Sequence, residues 1–128
     1  MQNSKETKIW NATLYLRLSR DDGDKEESNS IIGQRELLRN FIRTRPELRE
    51  YAVRIDDGFT GSNFERPSFK KMLEDVKAGR TNCIIVKDLS RFGRNYLDAG
   101  EYIEKIFPFL GVRFIAVNDN YDSFGGKN

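Results

Sequence analysis

Cys83-Ile84-Ile85-Val86-Lys87-Asp88-Leu89-Ser90-Arg91-Phe92-Gly93-Arg94-Asn95 is the stretch on which the reading of the fold depends. Its first four residues form an unbroken apolar run, which reads as a short buried strand. A helical pattern begins near Tyr96, with Leu97, Gly100, Ile103, Ile106, Phe107 and Leu110 at helical spacing. A strand that passes through a polar turn into an amphipathic helix is half of a βαβ unit, which builds parallel sheets. Lys87, Arg91, Gly93 and Arg94 crowd that turn. In an α/β protein it lies at the carboxyl ends of the strands, where ligands bind.

The same alternation extends in both directions. Residues 1–8 read as a loose polar leader, and residues 9–17 as a first strand rich in aromatic and β-branched residues. A polar loop and the charge run Lys25-Glu26-Glu27 follow, and residues 21–27 are expected to be mobile. Ser28, Asn29 and Ser30 offer N-caps for a helix whose apolar face is Ile31, Leu38, Phe41 and Ile42. Pro46 stops it, and residues 51–55 form the second strand. After a loop over 56–66, Pro67 opens a second helix with Phe69, Met72, Leu73 and Val76 on one face, ended by Gly79. Pro108 shortens or kinks the third helix and Gly111 ends it; a fourth strand spans 112–117, and 118–128 is a polar tail without pattern. The order β-α-β-α-β-α-β predicts an α/β fold, a small, mainly parallel sheet of four to five strands with helices on both faces.

Composition narrows the chemistry. The 128 residues suffice for one domain, and 33% charged with 38% hydrophobic is the balance of a water-exposed globular chain. No apolar run reaches the roughly 20 residues of a membrane span, and the amino terminus lacks a signal-peptide core, so a cytoplasmic location is expected. There is one cysteine, Cys83, and no histidine. That removes Ser-His-Asp triads, Cys-His dyads, internal disulfides and cysteine or histidine metal clusters. A net charge of +2 is low for a domain that binds DNA unaided.

Parallel pairing brings the loops after three strands to one rim. Arg17 and Ser19 leave the first strand there, Asp57 and Arg66 bracket the second loop, and Lys87, Ser90, Arg91 and Arg94 follow the third strand. Guanidinium forks match phosphate oxygens and stay charged at any working pH, so the rim predicts a phosphate ligand. Any one of these arginines read alone is ordinary solvated surface. Arg17, between Leu16 and Leu18, is the exception: a charge at a buried strand end needs a partner.

Tyr15-Leu16-Arg17-Leu18-Ser19 resembles the nucleophile motif of the serine recombinases, the resolvase/invertase family. Asp57-Gly58-Phe59-Thr60-Gly61 with Arg66 resembles that family's second loop, and Leu89-Ser90-Arg91-Phe92-Gly93-Arg94 its third; Gln34 matches a glutamine near the serine. The ordered set spans about residues 9–119. The resemblance implies a resolvase-like catalytic domain over 9–119, with Ser19 the nucleophile that attacks a DNA phosphodiester and forms a 5′-phosphoserine link. It implies Arg17, Arg66, Arg91 and Arg94 as the phosphate cradle, Gln34 and Asp57 as positioning groups, and Arg20, Lys87, Ser90 and Asn95 as further phosphate or DNA contacts. No metal, ATP or other cofactor is implied. The implied partners are double-stranded recombination sites and further copies of the protein, as dimer and synaptic tetramer.

Two features set this chain apart within the family. Ser90 stands where most resolvases have aspartate, so it is expected only to hydrogen-bond. Asp21-Asp22 and the run from Lys87 to Asn95 are more like the large serine recombinases of mobile elements in Gram-positive bacteria, in which DNA-binding domains follow the catalytic one. The end of the chain just after a strand is expected to be a cut in a longer protein, with 120–128 its polar tail. The other readings are a receiver-like phosphorylation switch and a toprim-type metal-dependent nuclease. A receiver wants its acceptor aspartate at the end of strand three, where Val86 meets Lys87; a toprim domain wants glutamate after strand one. Gly58-Phe59-Thr60-Gly61 is no Walker loop, Cys83 lacks the arginine of a phosphatase loop, and residues 118–122 lack the glycine and distal glutamate of a calcium loop.

Overall fold

The computed structural model describes residues 8–18, 30–57, 66–92 and 96–124, with the backbone alone for Asp57 and Tyr96. The elements are β1 (Trp10–Leu18), α1 (Ile31–Arg43), β2 (Leu48–Asp57), α2 (Pro67–Lys77), β3 (Cys83–Val86), α3 (Tyr96–Glu101), α4 (Phe107–Leu110), β4 (Arg113–Ala116) and β5 (Tyr121–Asp122). One 3-10 turn (Leu89–Arg91) follows β3, and a π turn (Tyr102–Ile106) joins α3 to α4. The sheet order is β2-β1-β3-β4-β5; the first four strands are parallel and β5 is antiparallel to β4.

Strand alternation divides the core into two layers. From β1, Trp10, Ala12, Leu14 and Leu16 face α1 and pack with Leu38, Leu48, Cys83, Ile85 and Ile115. Tyr15 faces the other way, into a layer with Phe69, Met72, Ile84, Phe92, Phe107 and Phe114 under α2, α3 and α4. Phe92 is the hub of that layer, fully buried, with its ring centroid 4.9 to 6.5 Å from those of Tyr15, Phe69, Tyr102, Phe107 and Phe114. Because Phe92 directly follows the 3-10 turn, the apolar core itself anchors the third loop.

Several expectations are refined. Ser30 is the N-cap of α1, its hydroxyl accepting the Gly33 amide at 2.9 Å. β2 runs Leu48–Asp57, longer than the expected 51–55, because its polar edge residues hide the pattern while the backbone pairs with β1 from end to end, with one register shift that skips Tyr51. Pro108 lacks an amide to bond the carbonyl four residues earlier and its ring crowds it; the π turn just upstream inserts the extra residue that relieves this. Gly111, at φ +75, closes α4 with its amide on the Pro108 carbonyl and the Val112 amide on that of Phe107.

The polar tail carries structure where no pattern was expected. Residues 121–122 pair antiparallel with β4, Ser123 bonds Phe114 through its amide and its hydroxyl, each at 2.9 Å, and a buried arginine fastens the pair from β4. Arg113, buried at the start of β4, grips Asp122 with Nε at 3.0 Å and Nη2 at 2.7 Å, reaches Glu47 at 3.3 Å, and lies 5.0 and 5.5 Å from the ring centroids of Phe124 and Trp10. A two-residue strand has no periodicity to read, and its pairing depends on a partner outside it. Among the described residues, no helix is long and apolar enough to cross a membrane.

Candidate active site

β1 and β3 are neighbours, yet the chain leaves β1 towards β2 on one side and leaves β3 towards β4 on the other. This divergence opens a crevice at their carboxyl ends, the switch point at which open α/β sheets bind ligands. Arg17 is the penultimate residue of β1, and the 3-10 turn is the exit from β3.

Arg17 and Arg91 hold each other through the backbone. The Arg17 guanidinium donates to the Ser90 carbonyl and, from Nε at 3.4 Å, to that of Arg91. Buried Arg91 donates from Nη1 to the Arg17 carbonyl at 3.1 Å. Gln34, fully buried on α1, makes a reciprocal pair with the same residue: Oε1 accepts the Arg17 amide at 3.3 Å, and Nε2 donates to its carbonyl at 3.1 Å. The backbone two residues before Ser19 is thus fixed from α1 and from the third loop at once. Loop carbonyls are among the partners that a charge at this strand end requires.

Arg66 arrives from the second loop. It stands at the N-cap position of α2, its guanidinium carbon 3.9 Å from the Phe69 ring centroid. It donates to the Phe92 carbonyl and meets Asp98 at 3.3 Å. Arg17 and Arg66 therefore converge on the carbonyls of residues 90–92, and Arg91 from that segment reaches back to the Arg17 carbonyl. Lys87, the residue after β3, is buried. The Ser90 hydroxyl donates to Asp88 at 2.6 Å, the Leu89 amide to Asp119 at 2.7 Å, and the Asn118 amide to the Lys87 carbonyl at 2.8 Å, which sews the loop to the turn after β4. Asp119 and Asp122, from the stretch with calcium-like spacing, are thereby engaged in the fold.

Ser19, Arg20, Arg94 and Asn95, like the loop over 21–27, lie outside the described residues; Asp57 closes β2, and its side chain lies outside them too. The residues the sequence reading passed over are Tyr15, Asp56 and Asp98. Asp56, buried, accepts the Tyr15 hydroxyl at 2.7 Å and the Phe69 amide at 3.0 Å on Oδ2, and the Ser68 amide at 2.9 Å on Oδ1. Burial first, then the hydrogen bond to Asp56, pushes the Tyr15 phenol well above its ordinary range, against the opposing charges of Arg66 and Arg17. It stays protonated at any working pH. The available signal was Arg66 itself, an arginine where helices want a capping oxygen.

Chemically, the crevice gathers three guanidinium groups: Arg17 and Arg91 donate to backbone carbonyls, and Arg66 to a carbonyl and the Asp98 carboxylate. A phosphate brings a full negative charge and can pair with a planar guanidinium fork through two parallel hydrogen bonds, which a single carbonyl cannot do. Among the described residues, no cluster of carboxylates and cysteine could hold a metal ion.

Comparison with known proteins agrees with this architecture. The family model described as the N-terminal domain of resolvase matches residues 12–126. The N-terminal catalytic domain of TP901-1 integrase superposes with a TM-score of 0.78 at 22% identity, over 91% of this chain and 84% of that one, a likeness of fold. A resolvase family site-specific recombinase from Streptococcus pneumoniae superposes with a TM-score of 0.76 at 30% identity, over 94% of this chain and 79% of that one. The C-terminal catalytic domain of ISC1926 TnpA, an IS607-like serine recombinase, gives 0.66 at 24% identity, over 84% and 69%. A match that runs unbroken from β1 past β5, on a sheet with three arginines at its switch point, places this chain in the resolvase family, as an N-terminal domain of that kind.

Proposed function

We propose that the chain is the catalytic domain of a serine site-specific recombinase, which cuts and rejoins DNA through a phosphoserine link. Ser19 Oγ attacks a backbone phosphorus. The bond from phosphorus to the 3′ oxygen breaks, the 3′ oxygen leaves as a hydroxyl with a proton, and phosphorus stays on the 5′ end, now esterified to Ser19. The reverse attack by a 3′-hydroxyl on the partner strand reseals the backbone. One phosphoester replaces another at each step, so the reaction needs neither ATP nor an oxidant, and guanidinium charge replaces a metal.

The observation that carries this reading is the convergence of Arg17 and Arg66 on residues 90–92, from which Arg91 reaches back to the strand end that precedes Ser19. Arg17, Arg66, Arg91 and Arg94 hold the phosphate and stabilise its pentacovalent transition state, where loss of one donor costs on the order of 10²–10³ in rate. Gln34 and Asp57 position the serine and the arginines. Arg20, Lys87, Ser90 and Asn95 contact the DNA backbone. The family resemblance supports double-stranded recombination sites as substrate, a dimer on each site, a synaptic tetramer, and movement of a mobile element as the biological outcome.

The test is strand cleavage by the intact protein on DNA carrying its site, in EDTA and without nucleotide. The reading expects full cleavage there, and none by Ser19→Ala. Cleavage that EDTA abolishes, or that survives Ser19→Ala, contradicts it.

A further inference from the structure

Helix α2 begins in an unusual way. Its N-cap residue is Arg66, whose side chain makes no capping bond, and its first turn opens on Pro67, which has no amide to satisfy. The two amides that follow are both taken by one carboxylate from another element. Asp56, near the end of β2, accepts Ser68 at 2.9 Å on Oδ1 and Phe69 at 3.0 Å on Oδ2, and Oδ2 also accepts the Tyr15 hydroxyl at 2.7 Å. The cap is supplied across the second loop, and the N-cap position is left open for an arginine.

That arrangement fixes Arg66 twice. The Arg66 carbonyl accepts the Lys70 amide at 3.0 Å in the turn that Asp56 holds, so its backbone is set by the cap. The guanidinium stacks on Phe69, whose own amide Asp56 grips. Tyr15 ties the carboxylate to β1, two residues before Arg17 in the same strand. Asp56 is buried, and its two carboxylate oxygens are taken up by its three protein donors, Tyr15, Ser68 and Phe69.

We propose that Asp56, braced by Tyr15, is a positioning residue for Arg66: by capping α2 from strand β2 it sets both the backbone and the aromatic platform from which that guanidinium reaches the crevice. The proposal rests on the reading of Arg66 as a phosphate-holding residue. Asp56 carries no proton in the reaction and touches no reacting atom. Its contribution is geometric, and it passes entirely through Arg66.

A double-mutant cycle in the intact protein tests this. Single-turnover cleavage of a suicide DNA substrate is measured at saturating protein for Arg66→Ala, Asp56→Ala, Asp56→Asn and the Arg66→Ala/Asp56→Ala double variant, with DNA affinity measured separately. The proposal expects Arg66→Ala and Asp56→Ala each to slow cleavage on the order of 10²–10³-fold with DNA affinity kept. It expects the double variant to be no slower than Arg66→Ala alone, since coupled residues are non-additive. Asp56→Asn keeps the shape and one acceptor and recovers part of the rate. A multiplicative double variant, or Asp56→Ala at the parental rate while Arg66→Ala is slow, overturns the positioning alone. Arg66→Ala at the parental rate overturns the cradle reading and the proposal with it. If Asp56→Ala does not fold, Tyr15→Phe and Asp56→Asn are read by the side-chain Nε–H resonance of Arg66. The proposal expects that resonance to shift while that of Arg54, held by Asp75, stays; an unmoved Arg66 signal overturns it.

Discussion

Gln34 shows how much a single buried amide can decide. Its fully buried carboxamide serves the amide and the carbonyl of Arg17. Gln34→Ala takes this acceptor from the Arg17 amide and one of two donors from its carbonyl, and is expected to destabilise the domain by about 1–3 kcal/mol, read from the urea midpoint at unchanged slope. It also loosens the strand end before Ser19, so cleavage is expected to fall further than stability explains at a temperature where the variant is folded. Arg91 belongs to the same knot through the Arg17 carbonyl. Arg91→Lys is expected to cleave almost as poorly as Arg91→Ala, because lysine keeps the charge and loses the planar fork. Recovery of most of the rate by Arg91→Lys would show that charge alone suffices. Much of this knot was legible in the sequence: Arg17, Gln34 and Arg91 stood out as a strand-end charge, a motif glutamine and a loop arginine. Their mutual contacts were hidden, since they run through carbonyls, which every residue has. Asp56 was hidden for another reason. Beside Asp57 it looks like one more loop acid, and only its 12-residue reach to the Ser68 amide distinguishes it.

Among the elements, the third loop depends on Phe92 as much as on its arginines. The ring sits among five other aromatic rings, and the residue before it is Arg91. Phe92→Ala is expected to cost about 3–5 kcal/mol, measured by thermal or urea unfolding, because a large cavity opens in a packed layer. Phe92→Leu fills most of that cavity and is expected to restore most of the stability, with cleavage recovering less than stability if ring packing sets the loop. The helices and four parallel strands were legible because their burial imposes a period: Leu38 on α1, Phe69, Met72 and Val76 on α2, and the unbroken run of β3. The π turn before Pro108 and the pairing of residues 121–122 were not. The first is a one-residue adjustment to a proline ring, and the second is held by Arg113 and Phe114 from another strand, so neither leaves a period in the sequence.

At the scale of the whole molecule, two carboxylates join separate parts of the fold. Asp75 on α2 receives Arg54 of β2 at 2.6 Å and Arg80 at 3.0 Å, and Asp122 of β5 receives Arg113 of β4 at 2.7 Å. Burial pushes both carboxyls up, but the arginine hydrogen bonds and charges, with the Phe124 amide on Asp122, outweigh it and hold both below their ordinary range. A depressed folded value means stability that is fully present above the unfolded value of about 3.9 and is lost as pH falls through the folded values. Unfolding free energy is therefore expected to be flat with respect to these two groups above about pH 5 and to fall below about pH 4. In Asp75→Asn and Asp122→Asn the fall is expected to be shallower; equal slopes in parent and variants would contradict the assignment. The whole-molecule reading turns finally on one atom, Ser19 Oγ, and one measurement reaches it directly. The intact protein is trapped on a suicide DNA substrate in EDTA, the adduct is digested, and the DNA-linked peptide is sequenced by mass spectrometry. The account predicts a single adduct at Ser19 joined to the 5′ phosphate; an adduct at another residue, or on a 3′ phosphate, would contradict it.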